Sequence, residues 1–447
     1  MLDKIKKIFH WLTAEAAYWF YGRPARKMVV IGVTGTKGKS TVSRFVASVL
    51  EAAGHKVGLM TTVEFQVAEK RWPNERKMTM LGRGEIQKLL RQMVKAGCQY
   101  AVVETSSEGI LQYRHLGLLY DIVVFTNLGE EHSERHGGFE NLKRDKGRIF
   151  AELKKSPRKV LNGQKIPKII IANADDPQAE YFLNFAADEK WGYGLKVSSF
   201  SRRFGRDPDF TSGQIPNSKF VQAKLAESSE HGQTFLVDNS HFKLNILGPF
   251  NIPNALAAIA VGRSQGISDE KIAAGLAAVT LVPGRMEFID EGQLFKVVVD
   301  YAHEPMSLTE LFNALRQLVG PDKKIISVVG SDGGGRDKSK REKMGEIAGR
   351  LTNIVVVTDV NCFDEDPKQI AETLAIGARR AGKQDSQNLF IEIDRRKGIE
   401  KAISLANAGD VVAITAKGTE PCIVVAKGKK IPWDDRNVAR SILRHAA

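Results

Sequence analysis

VVIGVTGTKGKST, Val29 to Thr41, is the stretch from which the fold of this chain can be predicted. A run of β-branched residues, typical of a buried parallel strand, is followed by a glycine-rich loop and then by a helical segment. Glycines let backbone N–H groups approach phosphate oxygens, Lys39 can neutralise the charge between phosphates, and the Ser40 hydroxyl can bind Mg²⁺. We therefore predict a phosphate-binding loop that consists of Gly35, Thr36, Lys37, Gly38, Lys39, Ser40 and Thr41.

The spacing of this loop differs from that of the commonest phosphate-binding loop. The common loop needs a glycine, four further residues, and then Gly-Lys-Ser or Gly-Lys-Thr. Counting back from Gly38 places Val33 where the first glycine should be. A purely structural glycine turn would not need a lysine and a serine at its end, so we predict a shorter form of nucleotide-binding loop.

Length and composition narrow the class of protein. A chain of 447 residues predicts two or three domains. Its 43% of hydrophobic and 26% of charged residues are typical of a soluble globular protein and exclude a disordered or fibrous chain. The net charge of +14 would suit nucleic acid, a membrane surface or a phosphorylated small molecule. Cys98, Cys362 and Cys422 are far apart and show no metal-binding spacing, which indicates reduced thiols in a cytosolic compartment.

Residues 1–26 predict an amphipathic helix, because apolar residues recur there at helical spacing. This segment has no signal-cleavage site and no apolar run of the roughly 18 residues that a membrane span requires. The helix would lie on a membrane surface or pack on the next domain, and we favour packing without stable membrane insertion.

From Lys27 onward, short β-branched strands alternate with helical segments. This alternation predicts an α/β fold: a central P-loop ATPase domain with a mostly parallel sheet, residues 27–282, and a C-terminal Rossmann-like α/β domain, residues 283–447. A polar, turn-rich region from about 192 to 243 indicates an antiparallel insert. Ligands of such sheets lie at the carboxyl ends of the strands, where the informative polar residues of this chain also occur.

Polar side chains follow two further predicted strands. Glu104 ends the strand YAVVE, and His132, His136 and Lys146 lie downstream of the strand DIVVF. Carboxylate and imidazole groups suit a divalent ion that bridges ATP and a second substrate. A helix cap is the structural alternative for Glu104. A zinc pair is the alternative for the two histidines, but the sequence lacks the rest of such a motif in that arrangement.

More motifs follow the loop in a definite order. They are ETSS at 104–107, TNL at 126–128, NADD at 173–176, GPFNIPNALAA at 248–258, VPGRME at 282–287 and DYAHEP at 300–305. Together with the short loop, this series resembles the Mur ligase family, and the resemblance runs from about Val29 to the last predicted helix. The family is known for the shorter loop, so the resemblance explains the unusual spacing.

The resemblance implies an ATP site with two Mg²⁺ ions. Lys39 would hold the ATP phosphates, and the metal ions would be bound by Ser40, Glu104, His132 and Lys146. Lys146 matches the lysine that is carbamylated in the family, which would make it an anionic ligand. The resemblance assigns the remaining nucleotide contacts to Asn254 and, from the C-terminal domain, to Arg285 and Asp300.

The resemblance also implies the reaction. An ADP-forming ligase would add an amino acid to UDP-N-acetylmuramoyl dipeptide through an acyl phosphate, in cytoplasmic synthesis of peptidoglycan precursors. The catalytic residues would be Lys39, Glu104, His132 and Lys146. The acceptor would be bound by Thr79, Ser106, Gln112 and Arg114, and the incoming amino acid by Arg336, Asn361 and Glu420. All of these partners are small molecules.

One position bears on which amino acid is added. Family members that use diaminopimelate carry Asp-Asn-Pro-Arg, whereas this chain has Asn361 followed by Cys362 and Phe363. Without that arginine, the second carboxylate of diaminopimelate loses its partner. We predict a preference for lysine, ornithine or a smaller amino acid, unless Arg395 or Arg396 supplies the missing charge.

Two alternative functions follow from other features of the sequence. Only about 27 residues precede the first strand, which is short for the uridine-nucleotide domain of such ligases, so a folylpolyglutamate synthase-like glutamate ligase is the first alternative. The second is a nucleic-acid-dependent P-loop ATPase that would use the basic segment 336–343. The sequence contains no recognisable motif for coupling to DNA, so we expect no nucleic-acid partner.

Overall fold

A computed structural model describes residues 2–76, 78–129, 136–195, 218–229, 232–335 and 338–446. The chain divides into two compact units, Met1–Thr280 and Leu281–Ala447. This division lies two residues before the boundary that the sequence suggested, and the N-terminal helix belongs to the first unit.

The first unit is built on a long twisted sheet. Its strands are β1 (Val29–Thr34), β2 (Val57–Met60), β3 (Glu64–Val67), β4 (Lys70–Pro73), β5 (Tyr100–Glu104), β6 (Ile122–Phe125), β7 (Val160–Leu161), β8 (Gln164–Lys165), β9 (Ile169–Asn173), β10 (Glu189–Gly194), β11 (Ser218–Ser229), β12 (Gly232–Val237) and β13 (Ser240–Leu244). In the described residues the main sheet has the order β13-β12-β11-β10-β9-β6-β1-β5-β2-β3-β4, and β7 pairs with β8 separately. Strands β2, β5, β1, β6, β9, β10 and β11 run parallel.

Antiparallel strands extend both edges of this sheet. Strands β3 and β4 form a hairpin beside β2, and β12 and β13 continue from β11. The second pair confirms an antiparallel insert over 218–244, whereas 196–217 lie outside the described residues. The mostly parallel sheet predicted from the sequence is confirmed.

Helices cover both faces of the first unit. They are α1 (Leu2–Phe20), α2 (Lys39–Ala52), α3 (Arg83–Lys95), α4 (Ser107–Leu111), α5 (Phe139–Leu153), α6 (Ala179–Leu183), α7 (Asn251–Ser264) and α8 (Asp269–Ala277), with a 3₁₀ turn at Pro24–Lys27. Strand β1 is buried along its whole length, as its β-branched residues predict for a central parallel strand. Helix α2 begins at Lys39, after residues 35–38, so the glycine-rich loop connects a central strand to a largely buried helix.

A buried charge cluster lies near the start of strand β6. The Asp121 carboxylate accepts hydrogen bonds from Lys159 Nζ at 2.6 Å, Lys168 Nζ at 3.0 Å and Val30 N at 2.9 Å. All three charged side chains are at most 2% exposed. Burial lowers the pKa of Lys159 to about 8, while Asp121 opposes that shift. Asp121 therefore ties three parts of the chain together at the strand end opposite the glycine-rich loop.

Helix α1 packs on α3 through one face, as the sequence suggested. Ala14 and Tyr18 are buried, and the Tyr18 hydroxyl accepts a hydrogen bond from Arg26 Nε at 3.1 Å. Phe9 and Trp19, on another face, are more than half exposed. No helix in the described ranges combines the length and the hydropathy that crossing a bilayer would require.

The second unit is a smaller α/β domain. Its strands are β14 (Glu287–Ile289), β15 (Lys296–Val299), β16 (Ile325–Val329), β17 (Ile354–Val357), β18 (Leu389–Ile391), β19 (Val411–Ile414), β20 (Cys422–Val424) and β21 (Lys430–Pro432). Its helices are α9 (Pro305–Val319), α10 (Ser339–Leu351), α11 (Pro367–Arg380), α12 (Arg395–Ser404) and α13 (Asp435–Ala446), with a 3₁₀ turn at Ala426–Gly428.

The main sheet of the second unit has the order β14-β15-β19-β16-β17-β18. All its pairs are parallel except β14 with β15. This confirms the Rossmann-like α/β domain. Cys98, Cys362 and Cys422 are free and buried.

Candidate active site

The glycine-rich loop has the backbone geometry of a phosphate cradle. Gly35 and Gly38 have φ angles of 152° and 77°, which side-chain-bearing residues rarely adopt. A Cβ on Gly35 would lie 1.9 Å from Thr126 Oγ1, and one on Gly38 would lie 2.4 Å from Asn254 Oδ1. Only glycine therefore fits at either position, and Asn254 packs directly against the loop.

The loop is held by the segment that follows β6. Lys37 N donates to Asn127 Oδ1 at 2.8 Å, Thr36 N donates to the Asn127 carbonyl at 2.8 Å, and Thr126 Oγ1 donates to the Lys37 carbonyl at 2.6 Å. Lys39 Nζ donates to the Thr36 carbonyl at 2.8 Å. These bonds shape the loop, and no side chain caps the start of α2 within the described part of the chain. The first amides of that helix can therefore receive an anion.

Ser40 and Glu104 meet at the carboxyl ends of β1 and β5. Ser40 Oγ donates to Glu104 Oε2 at 2.8 Å, although 64 residues separate them in sequence. Thr62 N and Thr62 Oγ1 also donate to Glu104, at 2.8 and 3.0 Å, and Thr62 Oγ1 contacts Thr79 Oγ1 at 2.9 Å. A continuous hydrogen-bonded chain thus connects the loop with the predicted acceptor residue Thr79.

The surroundings of Glu104 fit a magnesium ion. Its side chain is 2% exposed, and the donors described around it, Ser40 and Thr62, are neutral. A buried carboxylate is costly unless a cation compensates it, and Mg²⁺ prefers carboxylate and hydroxyl oxygens. The described residues contain no cluster of three or more His, Cys, Asp or Glu side chains. His132, predicted as a further ligand, lies outside the residues that the structure describes.

Lys146 lies beside the loop. Its side chain is 4% exposed, and its Nζ donates to the Gly35 carbonyl at 2.9 Å. The preceding residue, Asp145, accepts a hydrogen bond from His136 Nδ1 at 2.7 Å. The structure thus brings Lys146 to the phosphate cradle, and it is not an ordinary surface lysine of helix α5.

The predicted acceptor residues cluster around α4. Ser106 Oγ caps this short helix by accepting a bond from Gly109 N at 3.1 Å. Arg114 Nη2 donates to Gln112 Oε1 at 2.7 Å, and its Nη1 donates to the Met80 carbonyl, one residue after Thr79. Thr79, Gln112 and Arg114 therefore belong to one connected surface, whereas Ser106 has a capping role as well.

Two predicted nucleotide residues lie together in the second unit. Asp300 Oδ2 accepts a bond from Met286 N at 2.7 Å, and Asp300 Oδ1 accepts one from Ala302 N at 2.7 Å. The guanidinium of Arg285 lies over the Tyr301 ring, 4.4 Å from its centroid. The two motifs VPGRME and DYAHEP are therefore neighbours.

A second polar cluster brings together Asn361 and Glu420. Asn361 Nδ2 donates to Glu420 Oε2 at 3.0 Å and to Asp332 Oδ1 at 2.7 Å. Lys417, which is fully buried, donates to Glu420 Oε2 at 2.9 Å and to Asn361 Oδ1 at 3.3 Å. The predicted amino-acid residue Arg336 lies outside the described residues.

The sequence analysis missed three participants in these clusters. Thr62 follows strand β2, while Asp332 and Lys417 follow β16 and β19. Each is a polar residue just beyond a buried strand, which is the signal that identified Glu104. Applying that rule to every strand would have found all three.

Two domains of this chain match known protein families. The Mur ligase middle domain matches residues 33–262, and the Mur ligase, glutamate ligase domain matches residues 284–418. The chain is 37% identical to the UDP-N-acetylmuramyl-tripeptide synthetase of Roseiflexus sp. (strain RS-1), over 96% of this chain and 81% of that protein.

Two solved structures have a similar fold. A UDP-N-acetylmuramoyl-L-alanyl-D-glutamate–2,6-diaminopimelate ligase matches with a TM-score of 0.58 and 27% identity, covering 94% of this chain and 79% of that one. The folylpolyglutamate synthase of Mycobacterium tuberculosis matches with a TM-score of 0.66 and 17% identity, covering 97% and 94%. At that identity, the second likeness shows the fold alone. The two matched domains and the similarity over nearly the whole chain establish that this protein belongs to the Mur ligase family of ATP-dependent, ADP-forming amide ligases.

Proposed function

We propose that this ligase adds an amino acid to UDP-N-acetylmuramoyl dipeptide in the cytoplasmic synthesis of peptidoglycan precursors. The observation that supports this most is the hydrogen-bonded chain from Ser40 through Glu104 and Thr62 to Thr79. It joins a phosphate cradle to a polar surface that carries Gln112 and Arg114, as a reaction between ATP and a carboxylate acceptor requires.

In this proposal the loop binds the triphosphate of ATP. Amides at the start of α2 point at the phosphate oxygens, and Lys39 swings from the Thr36 carbonyl to the β- and γ-phosphates. Asn254 packs against Gly38 and contacts the nucleotide from the other side of the loop. Arg285 and Asp300 supply the nucleotide contacts of the second unit.

In this proposal, Ser40 and Glu104 would hold Mg²⁺, with His132 as a further ligand. Bound Mg²⁺ would neutralise charge that develops on the phosphate oxygens. Glu104 is kept in position by Thr62, which donates from both its backbone and its hydroxyl. Such a prearranged carboxylate needs little reorganisation when the cation binds.

The reaction has two steps. A carboxylate oxygen of the acceptor attacks the γ-phosphorus, the bond to the β–γ bridging oxygen breaks, and ADP leaves as an acyl phosphate forms. The amine of the incoming amino acid then attacks the acyl carbon, phosphate leaves, and the amine loses a proton. The loop amides and Lys39 stabilise charge in the first step, while Thr79, Gln112 and Arg114 orient the acceptor.

We propose that Lys146 is carbamylated. Its Nζ is buried beside the Gly35 carbonyl, close to a loop that binds phosphate and metal. An ammonium group there would repel Mg²⁺. A carbamate, formed from the neutral amine and CO₂ with loss of a proton, would instead carry one negative charge shared by two oxygens. Carbamylation therefore reconciles a buried lysine with a cation site.

The amino acid binds at the cluster of Asn361 and Glu420, with Arg336 for its carboxylate. Buried Lys417 holds both side chains, so it acts as a positioning residue. Phe363 has a left-handed φ of 53°, and a Cβ on Gly334 would lie 2.9 Å from its ring. The ring thus covers the glycine-rich turn before Arg336 and favours an apolar stem over a second carboxylate.

Arg395 is not available to replace the missing family arginine. Its guanidinium is 1% exposed and forms a bidentate pair with Asp435, at 2.8 and 2.7 Å. Arg396 pairs with Glu400 at 3.1 Å on the surface of α12. We therefore retain the proposal that lysine, ornithine or a smaller amino acid is preferred to diaminopimelate.

A phosphate-release assay tests the function. Wild-type protein, ATP and Mg²⁺ are incubated with an acceptor, either UDP-muramyl dipeptide or a folate, and with a panel of amino acids. We expect phosphate release only with the muramyl acceptor, and none from the Lys39→Ala variant. Release with folate and glutamate alone would favour a folylpolyglutamate synthase instead, and retained turnover of Lys39→Ala would contradict the role of the loop.

A further inference from the structure

Two arginines converge on one residue of the acceptor surface. Arg83, the first residue of α3, donates from Nη2 to the main-chain carbonyl of Gln112 at 2.5 Å. Arg114 donates from Nη2 to the side-chain oxygen of the same Gln112 at 2.7 Å. Although 31 positions apart in sequence, the two guanidinium groups are held on the same short segment.

Neither arginine pairs with a carboxylate in the part of the chain that the structure describes. Glu85, the nearest acidic residue on α3, pairs with Arg76 at 2.9 Å and accepts a bond from Gly82 N at 3.2 Å. Arg83 Nε is buried and has no hydrogen-bond partner among the described residues. A buried donor without an acceptor is unfavourable, so the site lacks one acceptor group.

The electrostatics of this pair are also unfavourable without an anion. Burial lowers the pKa of Arg83, and the positive charge of Arg114 lowers it further. Burial lowers the pKa of Arg114 as well, which nearby Glu108 and Glu85 partly oppose. Two like charges that lose solvent together are stabilised when an oxyanion binds between them.

The position of the pair indicates which molecule carries that oxyanion. Arg114 Nη1 donates to the Met80 carbonyl. The preceding residue, Thr79, is hydrogen-bonded to the Thr62 hydroxyl, which also contacts Glu104. The pair therefore adjoins the surface where the acceptor carboxylate would react. The planar fork of a guanidinium matches a carboxylate or a phosphate with two parallel hydrogen bonds.

We propose that Arg83 and Arg114 form a two-arginine clamp for an oxyanion of the acceptor, and that Arg83 thereby determines acceptor specificity. This inference rests on the proposed function, because it assumes a muramyl-peptide acceptor. The oxyanion is either a peptide carboxylate that does not react or the diphosphate of the nucleotide, since both present the same chemistry to the clamp.

Variants of Arg83 test the clamp. Arg83→Gln removes the charge, Arg83→Lys keeps the charge without the fork, and Lys88→Gln removes an exposed charge from the same helix as a matched control. Binding of UDP-muramyl dipeptide is measured by calorimetry without ATP, and KM and kcat are measured in the full reaction. We expect Arg83→Gln to weaken acceptor binding by about 10- to 100-fold, the worth of a hydrogen bond to a charged group.

The other variants and parameters sharpen this test. The acceptor affinity of Arg83→Lys should lie between those of wild type and Arg83→Gln, and that of Lys88→Gln should match wild type. The KM for ATP should change less than twofold. A nucleotide-free muramyl dipeptide separates the two sources of the oxyanion. If Arg83→Gln binds both acceptors more weakly than wild type does, the oxyanion is a peptide carboxylate. If it binds only the UDP-linked acceptor more weakly, the oxyanion is the diphosphate. The clamp would be overturned if Arg83→Gln bound both acceptors as tightly as wild type, or if Lys88→Gln lost as much acceptor affinity as Arg83→Gln.

The clamp can also be tested if the proposed function fails. Should wild-type protein neither bind nor ligate a muramyl acceptor, the proposed function is wrong, and pyrophosphate and glutarate are titrated instead. Weaker binding of either anion to Arg83→Gln than to wild type and to Lys88→Gln would still support the anion site. Equal affinities in all three proteins, or no binding of either anion to wild type, would overturn it.

Discussion

Replacing Glu104 by glutamine separates the charge of this side chain from its shape. Glu104 accepts three hydrogen bonds, two on Oε2 from Ser40 Oγ and Thr62 N and one on Oε1 from Thr62 Oγ1. A glutamine with its carbonyl at the Oε2 position keeps the first two bonds. Its NH₂ group then donates to Thr62 Oγ1, because a hydroxyl can accept as well as donate.

The fold should therefore survive this change, and catalysis should not. Weaker neutral hydrogen bonds and the relief of a buried, uncompensated charge act in opposite directions, so we expect the free energy of unfolding to change by no more than about 1–2 kcal/mol. Loss of the negative charge weakens Mg²⁺ binding and removes a prearranged electrostatic group, an effect of about 10²- to 10³-fold in comparable sites. We expect kcat/KM for ATP to fall by about that factor and the Mg²⁺ concentration for half-maximal rate to rise.

The assay is phosphate release at varied Mg²⁺ concentration, with thermal unfolding measured in parallel. Glu64→Gln is the matched control, because Glu64 lies on strand β3 of the same sheet, separated from β5 by β2, and pairs with Arg44 at 3.7 Å instead of contacting the loop. That variant should keep wild-type activity. If Glu104→Gln stayed within threefold of wild type with an unchanged Mg²⁺ requirement, the assignment of Glu104 to the metal would be refuted.

Three further predictions concern other sites. Lys146→Ala should be nearly inactive and partly rescued by an added short-chain carboxylate; a fully active variant would contradict carbamylation. Asp121→Asn should cost about 3–5 kcal/mol of unfolding free energy, because two buried ammonium groups lose their partner. The control Asp188→Asn breaks partly exposed ion pairs and should cost about 1 kcal/mol or less. Urea denaturation measures both variants, and equal losses of unfolding free energy would refute the role of burial. In a competition assay read by mass spectrometry, wild type should favour lysine or ornithine and Phe363→Arg should shift incorporation toward diaminopimelate; predominant diaminopimelate incorporation by wild type would contradict our interpretation of Phe363.

The candidate site was predictable where its chemistry is local in sequence. The loop from Gly35 to Thr41 carries its glycines, lysine and serine within seven residues. The alternation of strands and helices predicted parallel sheets, and the carboxyl end of a predicted strand pointed to Glu104. These inferences need only the propensities and spacings of neighbouring residues.

Pairings between distant residues were not predictable in this way. The approach of Ser40 to Glu104, of Arg83 to Gln112 and of Lys417 to Asn361 depends on strand order, register and the paths of loops. The sequence analysis left Arg395 open as a substitute for the missing arginine of the amino-acid site, but tertiary packing pairs it with Asp435, 40 residues later.

The sequence alone therefore determined the family, the two α/β sheets and the chemical types of the site residues. Only the tertiary structure decided which side chains meet, and among the described residues it places no carboxylate between Arg83 and Arg114. The physical reason is that local propensity acts over a few residues. Charge pairing and burial, in contrast, are properties of surfaces that come together only when the whole sheet has formed.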